Sequence, residues 1–238
     1  MTTAELATNL AMLTICYAYI IAIIVATGKI NGRLPSTLSR KFLHIMIGNV
    51  CFFIPFFSYT ILPLDFPFFV AAPFILLTFL VSPSSPIKGF NQKMSGLSEV
   101  TSGGHKFGLV FYAFSFTVLA VFFSSKPYII AAGILPMAYG DAVASLVGLK
   151  MGRHIFNVVA KKSLEGSLAM FAACFVSLTL ASMFFSALYP LSLLNLIVAS
   201  LGVSAVAVVF EALTPKGLDN LTVPLVSALV FLILIGGI

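Results

Sequence analysis

Charged residues are scarce in this sequence, and their scarcity decides its class. Only 8% of the 238 residues are charged, whereas a water-soluble domain carries roughly a quarter. Sixty percent of the residues are hydrophobic, and 24 of them are Phe. No polar stretch is long enough to fold separately in water. We therefore predict a single membrane-embedded domain over residues 1–238.

Cysteine is also rare, and tryptophan is absent. Cys16, Cys51 and Cys174 each lie inside an apolar run, so their number and spacing exclude a disulfide framework and a zinc site. We interpret them as small packing residues. The signatures of soluble P-loop proteins, protein kinases and serine hydrolases are missing too, which removes support for those classes.

Long apolar segments are abundant. Those long enough to cross a bilayer run over 5–28, 42–58, 60–82, 107–123, 128–149, 167–188, 191–213 and 221–238. Prolines interrupt the second and third segments, so one of them is expected to be kinked or re-entrant. The predicted fold class is an all-α, polytopic integral membrane helical bundle of about eight transmembrane helices, or seven if one segment re-enters.

The 13 Lys and Arg residues are scattered between the apolar segments. They form no basic surface domain, which argues against nucleic acid as a partner. Under this division of the chain, all of them except Lys126 fall on one side of the membrane. Cytoplasmic loops carry the excess of Lys and Arg, so we expect the polar loops and the functional site to face the cytoplasm.

An acidic residue interrupts the fifth apolar segment. Asp141 follows Gly140, and Ser145, Gly148 and Gly152 continue one stripe of the same helix. An Asp at the centre of a membrane helix costs about 2.5–3.5 kcal/mol, and such residues usually face a wet or protein-lined cavity. Close packing of two helices through small residues is the alternative. It explains the glycines but not the carboxylate.

A basic motif follows soon after this stripe: Lys161, Lys162, Ser163, Glu165 and Gly166. We expect it to enter the sixth helix, with Ser163 as its cap and Glu165 at the positive end of the helix dipole. Lysines beside the exposed amides of a helix start suit a phosphate group. The alternative is an ordinary capped helix with cytoplasmic lysines.

A second basic cluster precedes the second apolar segment. Arg40, Lys41 and His44 crowd its entry on the predicted cytoplasmic side. The topology rule alone would also supply the first two of these cations, and His44 alone would suit an interfacial position.

Acidic residues flank the loop before the last segment. Glu211 and Asp219 offer oxygen ligands for a hard divalent cation. Asp219 and Asn220, with Pro224 shortly after them, also suit the capped start of a helix. Both interpretations remain open at this point.

Cations and carboxylates that converge on one membrane face suit a metal-bound nucleotide polyphosphate beside a lipid headgroup. Phosphoryl transfer needs positioning, charge neutralisation by a metal and by Lys or Arg, and a carboxylate that receives the hydroxyl proton. The residues therefore favour a membrane phosphotransferase.

Four motifs extend this interpretation to a family. They read Arg40-Lys41-x2-His44-x3-Gly48, Gly140-Asp141-x2-Ala144-x3-Gly148-x3-Gly152, Lys162-Ser163-x-Glu165-Gly166-Ser167 and Asp219-Asn220-Leu-Thr-x-Pro224. Together they resemble the dolichol kinase/phytol kinase family, which also contains CTP-dependent diacylglycerol kinases and is distantly similar to CDP-diacylglycerol synthases. The resemblance covers residues 38–236, which would form a lipid-kinase-like catalytic core.

The resemblance implies that the terminal phosphate of CTP, with Mg²⁺, is transferred to the hydroxyl of a membrane isoprenoid alcohol of the dolichol, polyprenol or geranylgeraniol type. We expect Asp141, Lys162 and Glu165 to be catalytic. The expected metal ligands are Asp141, Asp219 and Glu211. The expected nucleotide- or phosphate-binding residues are Arg40, Lys41, His44, Gly140, Ser145, Gly148, Lys161, Ser163, Gly166 and Asn220.

Other functions remain open. A CDP-lipid synthase similar to phosphatidate cytidylyltransferases would attack the α-phosphate of CTP and release pyrophosphate, and a diacylglycerol kinase would use a different alcohol. A transporter would place charges through the bilayer and on both faces, unlike this chain. The resemblance implies an archaeal or bacterial cell membrane, or the endoplasmic reticulum in a eukaryote.

Overall fold

A computed structural model describes residues 2–31, 33–58, 66–87 and 107–236. The chain divides into two compact units, Met1–Pro127 and Tyr128–Ile238. The single domain over 1–238 stays a prediction. The charged and histidine residues of the loop after the third apolar segment lie outside the described residues: Lys88, Lys93, Glu99, His105 and Lys106.

The described part of the first unit is mainly helical. Helix α1 spans Thr3–Asn31, α2 spans Ser36–Gly48, α3 spans Phe66–Val81 and α4 spans Gly108–Phe123. Two short 3₁₀ turns, Asn49–Phe52 and Ile54–Phe56, follow α2. These elements lie at the first four predicted segments.

The second predicted segment, 42–58, is interrupted rather than straight. Its α-helical part ends at Gly48, and Pro55 stands at the start of the second 3₁₀ turn, where its missing N–H does little harm. Asn9 of α1 holds the end of the segment. Its Nδ2 donates to the Ser58 carbonyl at 3.0 Å, and the Ser58 N–H donates to its Oδ1 at 2.7 Å.

Helix α3 contains a proline that does not end it. Pro73 has no N–H to donate to the carbonyl of Phe69, four residues earlier. The hydroxyl of Tyr17 on α1 donates to that carbonyl instead, at 2.6 Å. An unsatisfied carbonyl is expensive in hydrocarbon, so this bond permits Pro73 in an apolar helix.

The second unit contains the remaining helices and a small hairpin. Helix α5 spans Pro127–Leu135, a π turn covers Pro136–Gly140, α6 spans Asp141–Met151, α7 spans Leu164–Leu188, α8 spans Leu193–Leu213 and α9 spans Asp219–Leu234. Strands β1 (Ile155–Asn157) and β2 (Lys161–Ser163) lie between α6 and α7. The helices match the last four predicted segments.

The continuous rod formed by α5, the π turn and α6 is the most buried helix of this unit. Of its most apolar 18-residue window, 78% is buried, compared with 33% for α7 and for α8. Outward-facing residues of α7 are large and apolar, as expected for a lipid-facing surface: Leu168, Val176, Leu180 and Met183. The rod therefore places Asp141 inside the protein.

The hairpin corrects the expectation that Lys161 and Lys162 enter the sixth helix. They lie on β2, which pairs antiparallel with β1, and α7 begins only at Leu164. Strands of three residues are too short to show an alternating pattern, so the sequence did not indicate them. The expected cap is confirmed, because the Ser163 hydroxyl accepts a hydrogen bond from the Gly166 N–H at 3.1 Å.

The expected cap at the last helix is wrong. Helix α9 begins at Asp219 itself, and the preceding Leu218 makes no side-chain cap bond. Oδ1 of Asp219 accepts from the backbone N–H groups of Gly217 and Asn220. Asp219 therefore folds back on its own loop and does not cap the helix interior.

The all-α membrane fold class is confirmed. Among the residues that the structure describes, four helices are long and apolar enough to cross a membrane: Thr3–Asn31, Pro127–Met151, Leu164–Leu188 and Leu193–Leu213. Three shorter apolar helices accompany them in the described ranges: Phe66–Val81, Gly108–Phe123 and Asp219–Leu234. The three cysteines are buried free thiols, as the sequence predicted.

Candidate active site

Asp141 is the first residue of α6, directly after the π turn. Its backbone N–H donates to the Pro136 carbonyl, five residues earlier, which is the π-helical spacing. The side chain is buried, with 7% of its surface exposed. The Ser145 hydroxyl, one helical turn later, donates to Oδ1 of Asp141 at 3.4 Å. The deep carboxylate therefore faces protein and has a hydroxyl neighbour.

A buried ion pair joins the hairpin to α8. The ammonium group of Lys162 on β2 donates to Oε1 of Glu211. The side chains are 18% and 4% exposed, respectively. From the sequence we expected Lys162 to bind phosphate and Glu211 to bind a metal ion. The structure brings the two residues together as partners.

Glu211 is also the centre of an acidic cluster. Asp141 and Asp219 are both close enough for their charges to act on its carboxylate. The described cluster therefore holds three carboxylates and the ammonium group of Lys162. The sequence singled out these residues as catalytic base, metal ligands and phosphate ligand, and all four lie in the second unit.

The turn before α9 is held by hydrogen bonds to the side chain of Asp219. Gly217 adopts a φ of 95°, a left-handed conformation that glycine accepts readily. Oδ1 of Asp219 accepts from the Gly217 N–H at 3.1 Å, from the Asn220 N–H at 2.9 Å and from Nδ2 of Asn220 at 3.1 Å. The carboxylate of Asp219 is thereby fixed in direction.

Asn220 contributes a notable acceptor to this loop. Its Nδ2 donates to Asp219, but its Oδ1 is buried and has no hydrogen-bond partner in the part of the chain that the structure describes. A buried acceptor without a donor is costly. A ligand-borne donor or a cation next to Asp219 would remove that cost.

Glu165 is bound to the start of the hairpin. Its carboxylate accepts from the backbone N–H groups of Arg153 and His154 at 3.1–3.3 Å, and from the His154 ring at 2.7 Å. The Leu164 N–H donates to the His154 carbonyl at 2.9 Å. His154 did not stand out in the sequence, because a contact between residues 11 positions apart across a hairpin leaves no periodic pattern.

The glycines of the motifs allow α6 and α7 to approach closely. A Cβ on Gly166 would lie 3.1 Å from the Ala144 carbonyl and 3.4 Å from Cα of Gly148, and one on Gly152 would lie 2.9 Å from the Ser163 hydroxyl. A Cβ on Gly140 would collide with Sγ of Cys174 on α7. The packing interpretation therefore holds for these residues, and nucleotide binding by Gly140, Gly148 and Gly166 stays a prediction.

The basic cluster of α2 lies in the first unit. Lys41 and His44 are buried, at 7% and 3% exposure, and Arg40 is half-buried. The His44 ring stacks on Tyr112 of α4, with centroids 4.7 Å apart and planes 15° apart. Phosphate binding by these residues stays a prediction, as it does for Lys161, which is exposed on β2.

A metal ion would need ligands from outside the protein at this site. Among the described residues, no group of three or more His, Cys, Asp or Glu is arranged to hold one. Mg²⁺ commonly uses one or two carboxylates together with substrate phosphates and water. Asp219, the unpartnered Oδ1 of Asn220 and a nearby carboxylate fit that mode of binding.

Comparisons with known proteins show which sequences this chain is similar to. The chain is 35% identical over 214 residues to a phytol kinase of Synechocystis sp., with 87% of this chain and 84% of that protein covered. It is 29% identical over 189 residues to a dolichol kinase of Arabidopsis thaliana, with 70% and 32% covered. It is 32% identical over 126 residues to a probable chloroplastic phytol kinase of Glycine max, with 52% and 40% covered.

No protein-family model and no solved structure matches the chain. The first relative nevertheless aligns over most of both chains. The chain belongs to the phytol kinase/dolichol kinase family of lipid-alcohol kinases.

Proposed function

We propose that the chain transfers the terminal phosphate of CTP to the hydroxyl of a membrane isoprenoid alcohol of the dolichol, polyprenol or geranylgeraniol type. The observation that carries this proposal is the buried cluster of Asp141, Lys162, Glu211 and Asp219 in a chain of this family. The choice of CTP rests on the family resemblance of the sequence motifs.

Asp141 is the proposed proton acceptor. The alcohol oxygen attacks the terminal phosphorus of CTP, and the bond between that phosphorus and the β-phosphate oxygen breaks, so that CDP leaves. The hydroxyl proton of the alcohol passes to the carboxylate of Asp141. Asp141 suits this role because it is buried and carries a hydroxyl neighbour in Ser145. Glu165 suits it less, since both of its oxygens already accept hydrogen bonds from the hairpin.

Lys162 is the proposed phosphate ligand. An ammonium group has three donors, and Glu211 takes one of them. The ion pair fixes the direction of the side chain, so the remaining donors can meet phosphate oxygens without further ordering. A preorganised cation of this kind stabilises the charge that develops during transfer.

Asp219 and Asn220, with Asp141 or Glu211, would hold Mg²⁺ on the nucleotide. The orphaned Oδ1 of Asn220 supports this assignment, because it is a buried oxygen without a donor among the described residues. When bound, the ion would neutralise the charge of the phosphates. The cytoplasmic orientation of the site is part of the proposal and rests on the distribution of Lys and Arg.

The test uses the purified full chain in lipid with Mg²⁺, CTP labelled at the terminal phosphate, and a panel of dolichol, geranylgeraniol, phytol and diacylglycerol. We expect the label in the phosphorylated isoprenoid alcohol, with CDP as the second product. Label in pyrophosphate would show a cytidylyltransferase instead. Equal turnover with terminally labelled ATP would overturn the choice of CTP while leaving the kinase activity.

A further inference from the structure

Exposed apolar side chains are concentrated at the hairpin between α6 and α7 and at the end of α6. Five large ones, within eleven consecutive positions, each have at least half of their surface exposed: Leu149, Met151, Ile155, Val158 and Val159. We call these five residues the hairpin patch. A single exposed aliphatic residue is ordinary, but such a concentration marks an interaction surface.

Cations accompany the hairpin patch. Lys150, Arg153 and Lys161 are exposed, and none of them forms an ion pair with another described residue. The nearest acidic residue that follows them, Glu165, is already bound by the His154 ring and by backbone N–H groups. The exposed segment therefore carries a net positive charge, which complements an anionic surface.

The two faces of the hairpin differ. Residues that pair across the two strands share a face, and successive residues alternate between faces. Lys162 and its pairing partner Phe156 lie on one face, and Lys162 binds Glu211 from there. Ile155 and Lys161 lie on the other face, so the hairpin presents an apolar residue and a cation on the side that does not form the ion pair.

The hairpin lies where two membrane helices end. The rod Pro127–Met151 and helix Leu164–Leu188 are both long and apolar enough to cross a membrane, so the twelve residues between them stay beside one membrane face. Six extended residues span about 20 Å, which keeps the tip near the headgroups. Leu164 and Leu168, at the start of α7, are also at least half exposed. The hairpin patch therefore adjoins a lipid-facing helix.

A membrane surface matches both the apolar and the cationic parts of this segment. The affinity of an interfacial segment for a bilayer increases with the apolar area that it buries and with its attraction to anionic lipids. Each Lys or Arg beside an anionic bilayer strengthens binding by about fivefold. An acidic protein would match the charge too, but the adjoining lipid-facing helix already brings headgroups next to the hairpin.

From these observations we infer that the hairpin docks on the bilayer surface. The hairpin patch lies among the headgroups of anionic phospholipids, and Lys150, Arg153 and Lys161 bind their phosphates. Strand β2 also carries Lys162, so docking steadies the strand that forms the ion pair with Glu211. The docking does not depend on the proposed phosphate transfer, and it is tested without nucleotide.

The chain contains no Trp, so a single introduced Trp reports its own surroundings. The full chain with Val159→Trp is placed in nanodiscs of phosphatidylcholine, with or without phosphatidylglycerol. With the anionic lipid, we expect the emission to shift to shorter wavelength, protection from acrylamide to increase, and lipids brominated in the acyl chain to quench more strongly. Leu194→Trp is the control at the other end of α7, where residues 186–200 carry no charge. Its emission should be the same in both lipids.

A matched pair of double variants tests the cations. In the Val159→Trp background, Lys150→Gln/Arg153→Gln should lower the ratio of protected to exposed Trp by about 30-fold, which corresponds to about 2 kcal/mol. Lys29→Gln/Arg33→Gln removes the same charges from exposed positions of the first unit and should leave the ratio nearly unchanged. An equal loss in both double variants would overturn the inference, because the hairpin cations would then have no special role.

Two further outcomes would overturn the inference. One is equal protection of the Val159→Trp reporter in neutral and anionic nanodiscs. The other is protection from acrylamide without quenching by brominated lipid, because protein rather than lipid would then cover the tip. If Val159→Trp does not fold, Val158→Trp provides the same measurement at the neighbouring position, which is similarly exposed.

Discussion

Lys162 and Glu211, which are 49 residues apart in the sequence, form a buried ion pair between strand β2 and helix α8. The pair ties the second strand of the hairpin to the end of a membrane helix. It also places a cation beside carboxylates that would otherwise repel one another. This arrangement gives the first prediction.

Removing either partner leaves a buried charge. We expect Lys162→Met and Glu211→Gln each to lower the free energy of unfolding by about 3–5 kcal/mol, because each substitution leaves the other charge of the pair without its partner. The double variant Lys162→Met/Glu211→Leu should recover most of that stability but no phosphate transfer. Thermal unfolding in detergent and turnover of CTP measure the two effects. An active double variant would show that the pair is only structural.

The carboxylate of Asp141 carries the proposed proton transfer. Asp141→Asn keeps the shape of the side chain and removes the base, so the turnover number should fall by about 10²–10⁴. The protein should elute from size exclusion as the unchanged protein does. Ser145→Ala removes only the 3.4 Å hydroxyl neighbour and should have a smaller effect. Full activity of Asp141→Asn would remove this residue from the mechanism.

The amide of Asn220 is predicted to serve the metal-bound nucleotide. Asn220→Leu keeps the side-chain volume but removes both the orphaned Oδ1 and the Nδ2 that holds Asp219. The Mg²⁺ concentration for half-maximal activity should rise by about tenfold or more. Thr222→Val, which breaks the 3.0 Å contact with Thr214 on the same loop, is the control. An unchanged Mg²⁺ dependence in Asn220→Leu would argue against the site.

The close approach of α6 and α7 is testable through one atom. Gly140→Ala would drive its methyl group into Sγ of Cys174, so we expect a loss of about 1–3 kcal/mol. Gly28→Ala is the matched control, because nothing lies within 4 Å of its added Cβ. In thermal unfolding, Cys174→Ala should restore part of the loss in the Gly140→Ala background. If Cys174→Ala restores none of the lost stability, the clash does not involve Sγ of Cys174.

The membrane helices were predictable because a long apolar run with few charges can adopt few structures other than a membrane-spanning helix. Asp141 was found for the same reason, since a carboxylate stands out in such a run. The hairpin was not predictable, because three-residue strands such as Lys161–Ser163 show no alternation. The pairing of Lys162 with Glu211 was also hidden, because it depends on which helices are neighbours. The sequence named all four members of the cluster but not which of them pair with each other.

Tyrosine hydroxyls on neighbouring helices complete the backbone of the first unit. Tyr17 donates to the Phe69 carbonyl that Pro73 leaves open, and Tyr19 donates to the Met46 carbonyl where α2 gives way to 3₁₀ turns. Helix α1 is therefore more than a membrane anchor. Without Tyr17, the Phe69 carbonyl would lose the hydrogen bond that replaces the missing N–H of Pro73, so α1 also stabilises the proline-containing helix α3.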